Sequence, residues 1–230
     1  MKSFINASAG LFVLLAMILL MITGCKKENE PLTVTDADGN VYKTVVIGTQ
    51  TWMAGNLKTT KYNDGSEIPL VTNNTSWTNQ KTPGYCYYDN NDANKDPYGA
   101  LYNWYAIDKG NLCPAGWRVP SKADWTTLIS YLGGEDVAGL ELKEKGTIHW
   151  DIPNDEVTNS TGFSALPGGL RFGQGGLFGY IRTDGYYWSS TPDNILGESA
   201  WYFELYHEFG SAYVMDQYMR NGMSVRCIKN

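Results

Sequence analysis

Residues 11–22, LFVLLAMILLMI, form an unbroken apolar run, and Lys2 is the only charge before residue 25. This run settles how the rest of the chain can stabilise itself. Twelve residues rise about 18 Å as a helix, short of the roughly 30 Å hydrocarbon core of a bilayer. The run therefore reads as the core of an export signal over residues 1–24, not as a membrane span. Export places the remaining chain in an oxidising compartment, where thiols pair. Past residue 25 stand three cysteines, Cys86, Cys113 and Cys227. Three is odd, so one is left over.

The leader ends in ITGC, residues 22–25. Small residues directly before a cysteine resemble the bacterial lipobox, where the peptidase cuts before the cysteine and its thiol carries the lipid. That resemblance implies lipidation at Cys25 and membrane attachment through the lipid. The expected location is the bacterial cell envelope, at the outer membrane, with the periplasmic or surface side left open. The competing readings are an ordinary signal peptide with an incidental Cys25, or a short anchor helix. KKENEPLT, residues 26–33, is charged and lacks apolar periodicity, so residues 25–33 read as the lipidated cysteine and its tether.

Residues 34–230 are expected to be one domain. Without Lys2 the chain carries 17 basic against 24 acidic residues, a net charge of −7, which gives no case for a nucleic-acid partner. Aromatics at 13% and 25 glycines describe a packed domain rich in turns. VYKTVVI at 41–47 predicts a strand, with a second around Trp52. Residues 58–96 predict long surface loops. Tyr98, Leu101, Tyr102 and Tyr105 recur at helical spacing and predict a helix after Pro97, ended by Gly110. Ser121 and Asp124 form a capping-box pattern, with Trp125, Leu128, Ile129 and Leu132 as the buried stripe of a second helix. A shorter helical piece is expected over 136–143. WYFELYHEF at 201–209 alternates. Trp201, Phe203, Leu205, His207 and Phe209 are expected to face the core, and Tyr202, Glu204, Tyr206 and Glu208 the water. Two main helices, small antiparallel sheets and long loops define an α+β fold class.

Cys113 lies in NLCPAGWRVPSKADW, residues 111–125, stiffened by Pro114 and Pro120. In MSVRCIK, residues 223–229, Met223, Val225 and Cys227 alternate onto an apolar face, so Cys227 points inward. A Cys113–Cys227 disulfide is expected, with Cys86 as the odd thiol; a Cys86–Cys113 bond is the competitor.

Several stretches taken together resemble the Fibrobacter succinogenes major paralogous domain family: DGNVYKTVVIGTQTWMAGNL, YGALYNWYAI, NLCPAGWRVPSKADWTTLISYLGG, GFSALPGGLR, GYYWSST and SVRCIK. The likeness covers roughly residues 35–230. Members are typically bacterial lipoproteins or secreted proteins, and the family carries no established activity. RVPSKADW at 118–125 and GMSVRC at 222–227 also resemble, more distantly, the formylglycine-generating enzyme group. That group shares a variant of the C-type lectin fold, and this likeness implies a lectin-like domain.

An oxidase of that kind binds copper through a close pair of cysteines in the C-terminal part of the fold. Here Cys227 stands alone after Cys113, so that enzyme is the least favoured reading. GFSAL has Leu166 where a nucleophile-elbow glycine would stand, and no H-E-x-x-H occurs. No catalytic residue, cofactor or metal is expected. DNNDANKD at 89–96 alternates oxygens but lacks the EF-hand glycine and closing glutamate, so a surface turn outweighs calcium. Seven tyrosines between residues 180 and 218 offer contact area at low entropy cost, set against an equal chance that they fill a core poor in Leu and Ile. The candidate ligand face is Tyr202, Glu204, Tyr206, Glu208 and Tyr213. These features point to a lipid-anchored envelope module for binding or adhesion, with a glycan or a surface protein as ligand. The alternative is a structural envelope protein.

Overall fold

The computed structural model describes residues 32–151, 156–193, 195, 197–208 and 210–230. The leader and Cys25 lie outside them, as does Phe209. Residues 31–230 form one compact unit. Strands β1 (Thr33–Thr35), β2 (Val41–Ile47) and β3 (Gln50–Met53) open it. Helix α1 (Asn74–Asn79), strand β4 (Tyr85–Cys86), helix α2 (Lys95–Tyr98), strand β5 (Leu101–Tyr102) and helix α3 (Trp104–Asp108) follow. Next come β6 (Trp117–Arg118), α4 (Lys122–Tyr131) and α5 (Ala138–Leu142). The C-terminal part holds β7 (Gly168–Arg171), β8 (Phe178–Ile181), β9 (Asp184–Asp193), β10 (Ser199–Tyr206), β11 (Ala212–Tyr218) and β12 (Ile228–Lys229).

These strands build two five-stranded sheets, ordered β1-β2-β3-β12-β6 and β11-β10-β9-β7-β8, and a β4-β5 pair. Pairing is antiparallel except between β7 and β9. The chain is therefore mostly β, and this corrects the expected α+β, lectin-like arrangement with two main helices. Among the helices of the described residues, only α4 runs beyond six residues. It starts as the capping box predicts: Ser121 accepts from the Asp124 amide, and the Asp124 carboxylate accepts from the Ser121 amide. Arg118 clamps the same carboxylate in two bonds of 2.6 and 2.9 Å. Trp125, Leu128 and Ile129 are buried; Leu132 is only partly so.

The helix expected after Pro97 does not form. Gly99 sits at φ +78°, and a Cβ there would lie 2.8 Å from the Leu57 carbonyl oxygen. The chain turns, and Leu101 and Tyr102 pair with Cys86 and Tyr85 instead. The helix starts only at α3, where Asn103 caps the Ala106 amide. Helical spacing of four apolar residues is equally met by a turn, a two-residue strand and a short helix when every one of them is packed.

The described residues form a small apolar cluster of Trp77, Cys86, Tyr88 and Leu101, and two large ones. In one, Trp52 of β3, Trp125 of α4, Phe163, Tyr187 of β9 and Phe203 of β10 meet, with Trp125 stacked on Phe203 at 4.4 Å. In the other, Met53, Tyr102, Trp104, Trp188, Tyr202 and Met223 surround Cys113 and Cys227. The two cysteines are bonded, with Cα atoms 6.0 Å apart, and Cys86 is the buried odd thiol. Residues 223–227 run between the clusters instead of forming one strand. Met223 exchanges backbone bonds with Tyr102, Ser224 bonds Tyr186 and Trp188, and the Val225 and Cys227 carbonyls accept from Leu57 and Met53. Both faces of this thread are buried, so Arg226 is as enclosed as Cys227.

Candidate functional site

The β9–β10–β11 sheet places the predicted ligand residues. Along β10, Tyr202, Glu204 and Tyr206 share one face. Their partners on β9 are Trp188, Tyr186 and Asp184. On β11, Met215 lies beside Tyr202 and Tyr213 beside Glu204. Residues directly opposite in an antiparallel ladder share a face, so all eight side chains stand together.

That face is not the open surface the alternation predicts. Tyr202 is 5% exposed and Glu204 2%, because Tyr186 on one side and Met215 and Tyr213 on the other close over them. Phe203 and Leu205 point into the Trp125 cluster as expected. Both faces of β10 are thus packed. Tyrosine fits either environment, so alternation with tyrosine could not tell water from a second core. His207 does not continue the apolar face. It lies half-buried just past the end of β10, with Nδ1 3.5 Å from Asp184 Oδ1 and Nε2 3.5 Å from Glu208 Oε1.

What remains accessible is a rim. Tyr206 and Tyr213 are half-buried and meet edge to face at 6.1 Å. Tyr180 is 50% and Met215 46% exposed, and Glu208 is exposed. Behind the rim a row of rings steps inward, Tyr180 to Tyr186 to Tyr202, each about 5.9 Å from the next. The floor is acidic. Tyr202 donates to Glu204 Oε2 at 2.8 Å, and the hydroxyls of Tyr206 and Tyr186 also bond this carboxyl. Burial raises the Glu204 pKa against the pull of those three donors. The same burial, beside Glu204, pushes the Tyr206 phenol up to about 12, so it stays a donor at neutral pH. The rings of Tyr186, Tyr202 and Tyr206 are therefore oriented by one buried acid.

Asp184 and Lys143 are the members that sequence reasoning missed. Asp184 is buried; Tyr186 and Thr183 hydroxyls lie 3.5 and 3.4 Å from Oδ2, while Oδ1 has no hydrogen-bond partner. Lys143 is buried nearby, its Nζ 3.4 Å from the His207 carbonyl oxygen. Desolvation lowers its pKa to about 8, and the negative charge of Asp184 opposes that fall. No local pattern marks either residue, since each reaches the cluster through a contact distant in sequence.

Other candidates resolve into scaffold. At 89–96, the Asn90 and Asn94 side chains donate to the Thr72 and Tyr88 carbonyls, and Asp96 pairs with Lys58 at 2.8 Å. Those oxygens and amides tie down a loop. Among the described residues, no group of three His, Cys, Asp or Glu is placed to hold a metal ion. The Cys86 thiol is pushed up to about 12 by burial, so little thiolate exists at neutral pH to act as a nucleophile.

The motif stretches turn out to be structural as well. Arg171 of GFSALPGGLR is fully buried and donates to the Gly176, Val71 and Thr72 carbonyls and to Asn74 Oδ1. Trp188 of GYYWSST and Trp104 of YGALYNWYAI donate to the Tyr102 and Ser189 carbonyls. The pattern called the Fibrobacter succinogenes major domain matches residues 45–229. The chain belongs to this family. No curated protein and no solved structure matches it, so the more distant likeness to the formylglycine-generating and C-type lectin group stays without support. The matched range includes Tyr206, Glu208 and Tyr213 as well as the scaffold residues Arg171, Trp104 and Trp188.

Proposed function

We propose that this is a lipid-anchored binding module of the bacterial cell envelope, and that its ligand seats on the rim of Tyr206, Tyr213, Tyr180 and Met215. One observation carries the reading: Tyr206, partly exposed at the rim, bonds the buried Glu204 carboxyl, and Tyr213 packs edge to face on its ring. A ring that is already immobilised loses little entropy on contact, which is the advantage aromatic binding surfaces exploit. A core tyrosine needs no exposed edge, and a purely structural envelope protein needs no such rim.

The ligand is sought by a screen of glycans and envelope proteins against the chain. Tyr206→Ala and Tyr213→Ala are each expected to weaken the ligand found by about 1–2 kcal/mol, roughly five- to thirtyfold. Circular dichroism checks that the fold is kept. Unchanged affinity in both variants moves the site elsewhere and returns a structural role to the front.

The anchor rests on the ITGC sequence alone. Replacing Cys25 by alanine is expected to shift the protein from the membrane fraction to the soluble fraction on cell fractionation. A variant that stays with the membrane removes the lipoprotein reading.

A further inference from the structure

The chemistry of the cluster goes further than its shape. Three carboxyls, Asp184, Glu204 and Glu208, stand on or beside this face. Among the described residues, Lys143 is a buried amine whose charge Asp184 feels, and His207 lies between Asp184 and Glu208. Glu204 is answered by three phenol donors, but Asp184 Oδ1 is buried with no hydrogen-bond partner. A buried acceptor left unmatched costs stability unless something arrives to satisfy it. The accessible groups of the rim include the rings of Tyr206 and Tyr213, which meet edge to face, and ring faces attract cations. Negative charge behind a low-dielectric aromatic wall draws positive charge toward the rim.

We propose that the rim takes a positively charged organic group, an ammonium or guanidinium borne by the ligand. The group sits against Tyr206 and Tyr213 with Glu208 beside it. The half-buried imidazole of His207 lies 3.5 Å from Asp184 Oδ1, and its displacement gives the cation a direct acceptor. A neutral sugar hydroxyl could also meet Asp184, but it would leave the excess of acid over base unchanged. This inference rests on the binding face proposed above and names what that face selects.

The test titrates the full chain with butylammonium and butylguanidinium, using 1-pentanol as the neutral counterpart. The chain has only two histidines, so the His207 C2 proton, assigned with His207→Gln, reports local binding by NMR. Both cations are expected to shift this signal saturably and 1-pentanol is not. Asp184→Asn is expected to weaken the cation about tenfold, and added salt to weaken it further. Should Asp184→Asn fail to fold, the exposed Glu208→Gln is expected to weaken binding about two- to fivefold. Equal binding of 1-pentanol overturns the charge assignment, as does unchanged affinity in the folded acid variants or no cation response at all. A neutral glycan whose binding is lost in Tyr206→Ala, without any cation response, keeps the face and discards only the cation.

Discussion

Replacing Cys113 and Cys227 together by alanine is expected to cost about 4–5 kcal/mol of unfolding free energy, about a third or more of the roughly 5–15 kcal/mol a folded domain commonly has. The bond joins residues separated by 114 positions, so it closes nearly the whole sequence between the first helices and the C-terminal thread. Its removal restores to the unfolded chain the entropy of that loop. The folded state changes less, because both cysteines are enclosed by Met53, Val225 and Trp104 in the same cluster. Urea unfolding of the double variant, beside the oxidised parent, measures the difference. A loss under 1 kcal/mol would show that the unfolded chain is already compact enough to keep these segments together. Peptide mapping without reduction is expected to give one linked pair, Cys113 with Cys227. A linked peptide containing Cys86 would overturn the pairing.

This bond was legible because each half of the reasoning was local: a proline-stiffened segment around Cys113, and alternation that turned Cys227 inward. The capping box of α4 and the β2–β3 hairpin were legible for the same reason, since a few adjacent residues determine each. The fold class was not. Strands of two to four residues such as β6, β7 and β12 carry too little pattern to stand out, and they exist only through distant partners. Ile228 pairs with Trp52 and with Arg118, and the parallel β7–β9 contact joins Gly169 to Gly185. At the candidate site the tyrosines of β10 and β11 could be read, though not which of them would be covered. Tyr202 and Tyr206 stand on the same face of β10. The first is sealed between Trp188 and Met215 and the second lies at the strand end, a distinction set by neighbouring strands. Asp184 was hidden because a lone acid before a glycine reads as a turn.

Arg226 presents the sharper test of how this scaffold holds. Its side chain is fully buried, and none of its hydrogen bonds goes to a carboxylate. It donates to Asn56 Oδ1 at 2.8 Å, to the Ser164 carbonyl at 2.8 Å, and to the Phe163 and Met53 carbonyls. Its Cζ lies 4.5 Å from the centre of the Phe163 ring. Desolvation lowers its pKa to about 10, which still leaves it charged at neutral pH. Two opposed effects therefore meet at one residue. Keeping a guanidinium out of water costs several kcal/mol, and an apolar replacement would recover that cost. Against this, one guanidinium fastens the 163–164 loop, residue 53 and residue 56 to the C-terminal thread. Removing it strands buried oxygens, at about 1–3 kcal/mol for each left without a partner. Because at least two backbone carbonyls and one amide oxygen lose their donor together, the second effect is the larger. Arg226→Met, close in length and without a charge, is expected to lose about 3–4 kcal/mol, and Arg226→Ala about 1 kcal/mol more for the cavity. Arg226→Lys is expected to fall between Met and the parent, since one ammonium reaches only some of the four acceptors. Urea unfolding at pH 7 ranks the three. If Arg226→Met proves as stable as the parent, desolvation of the guanidinium outweighs its hydrogen bonds. The residue would then serve to choose one arrangement of the thread rather than to strengthen it.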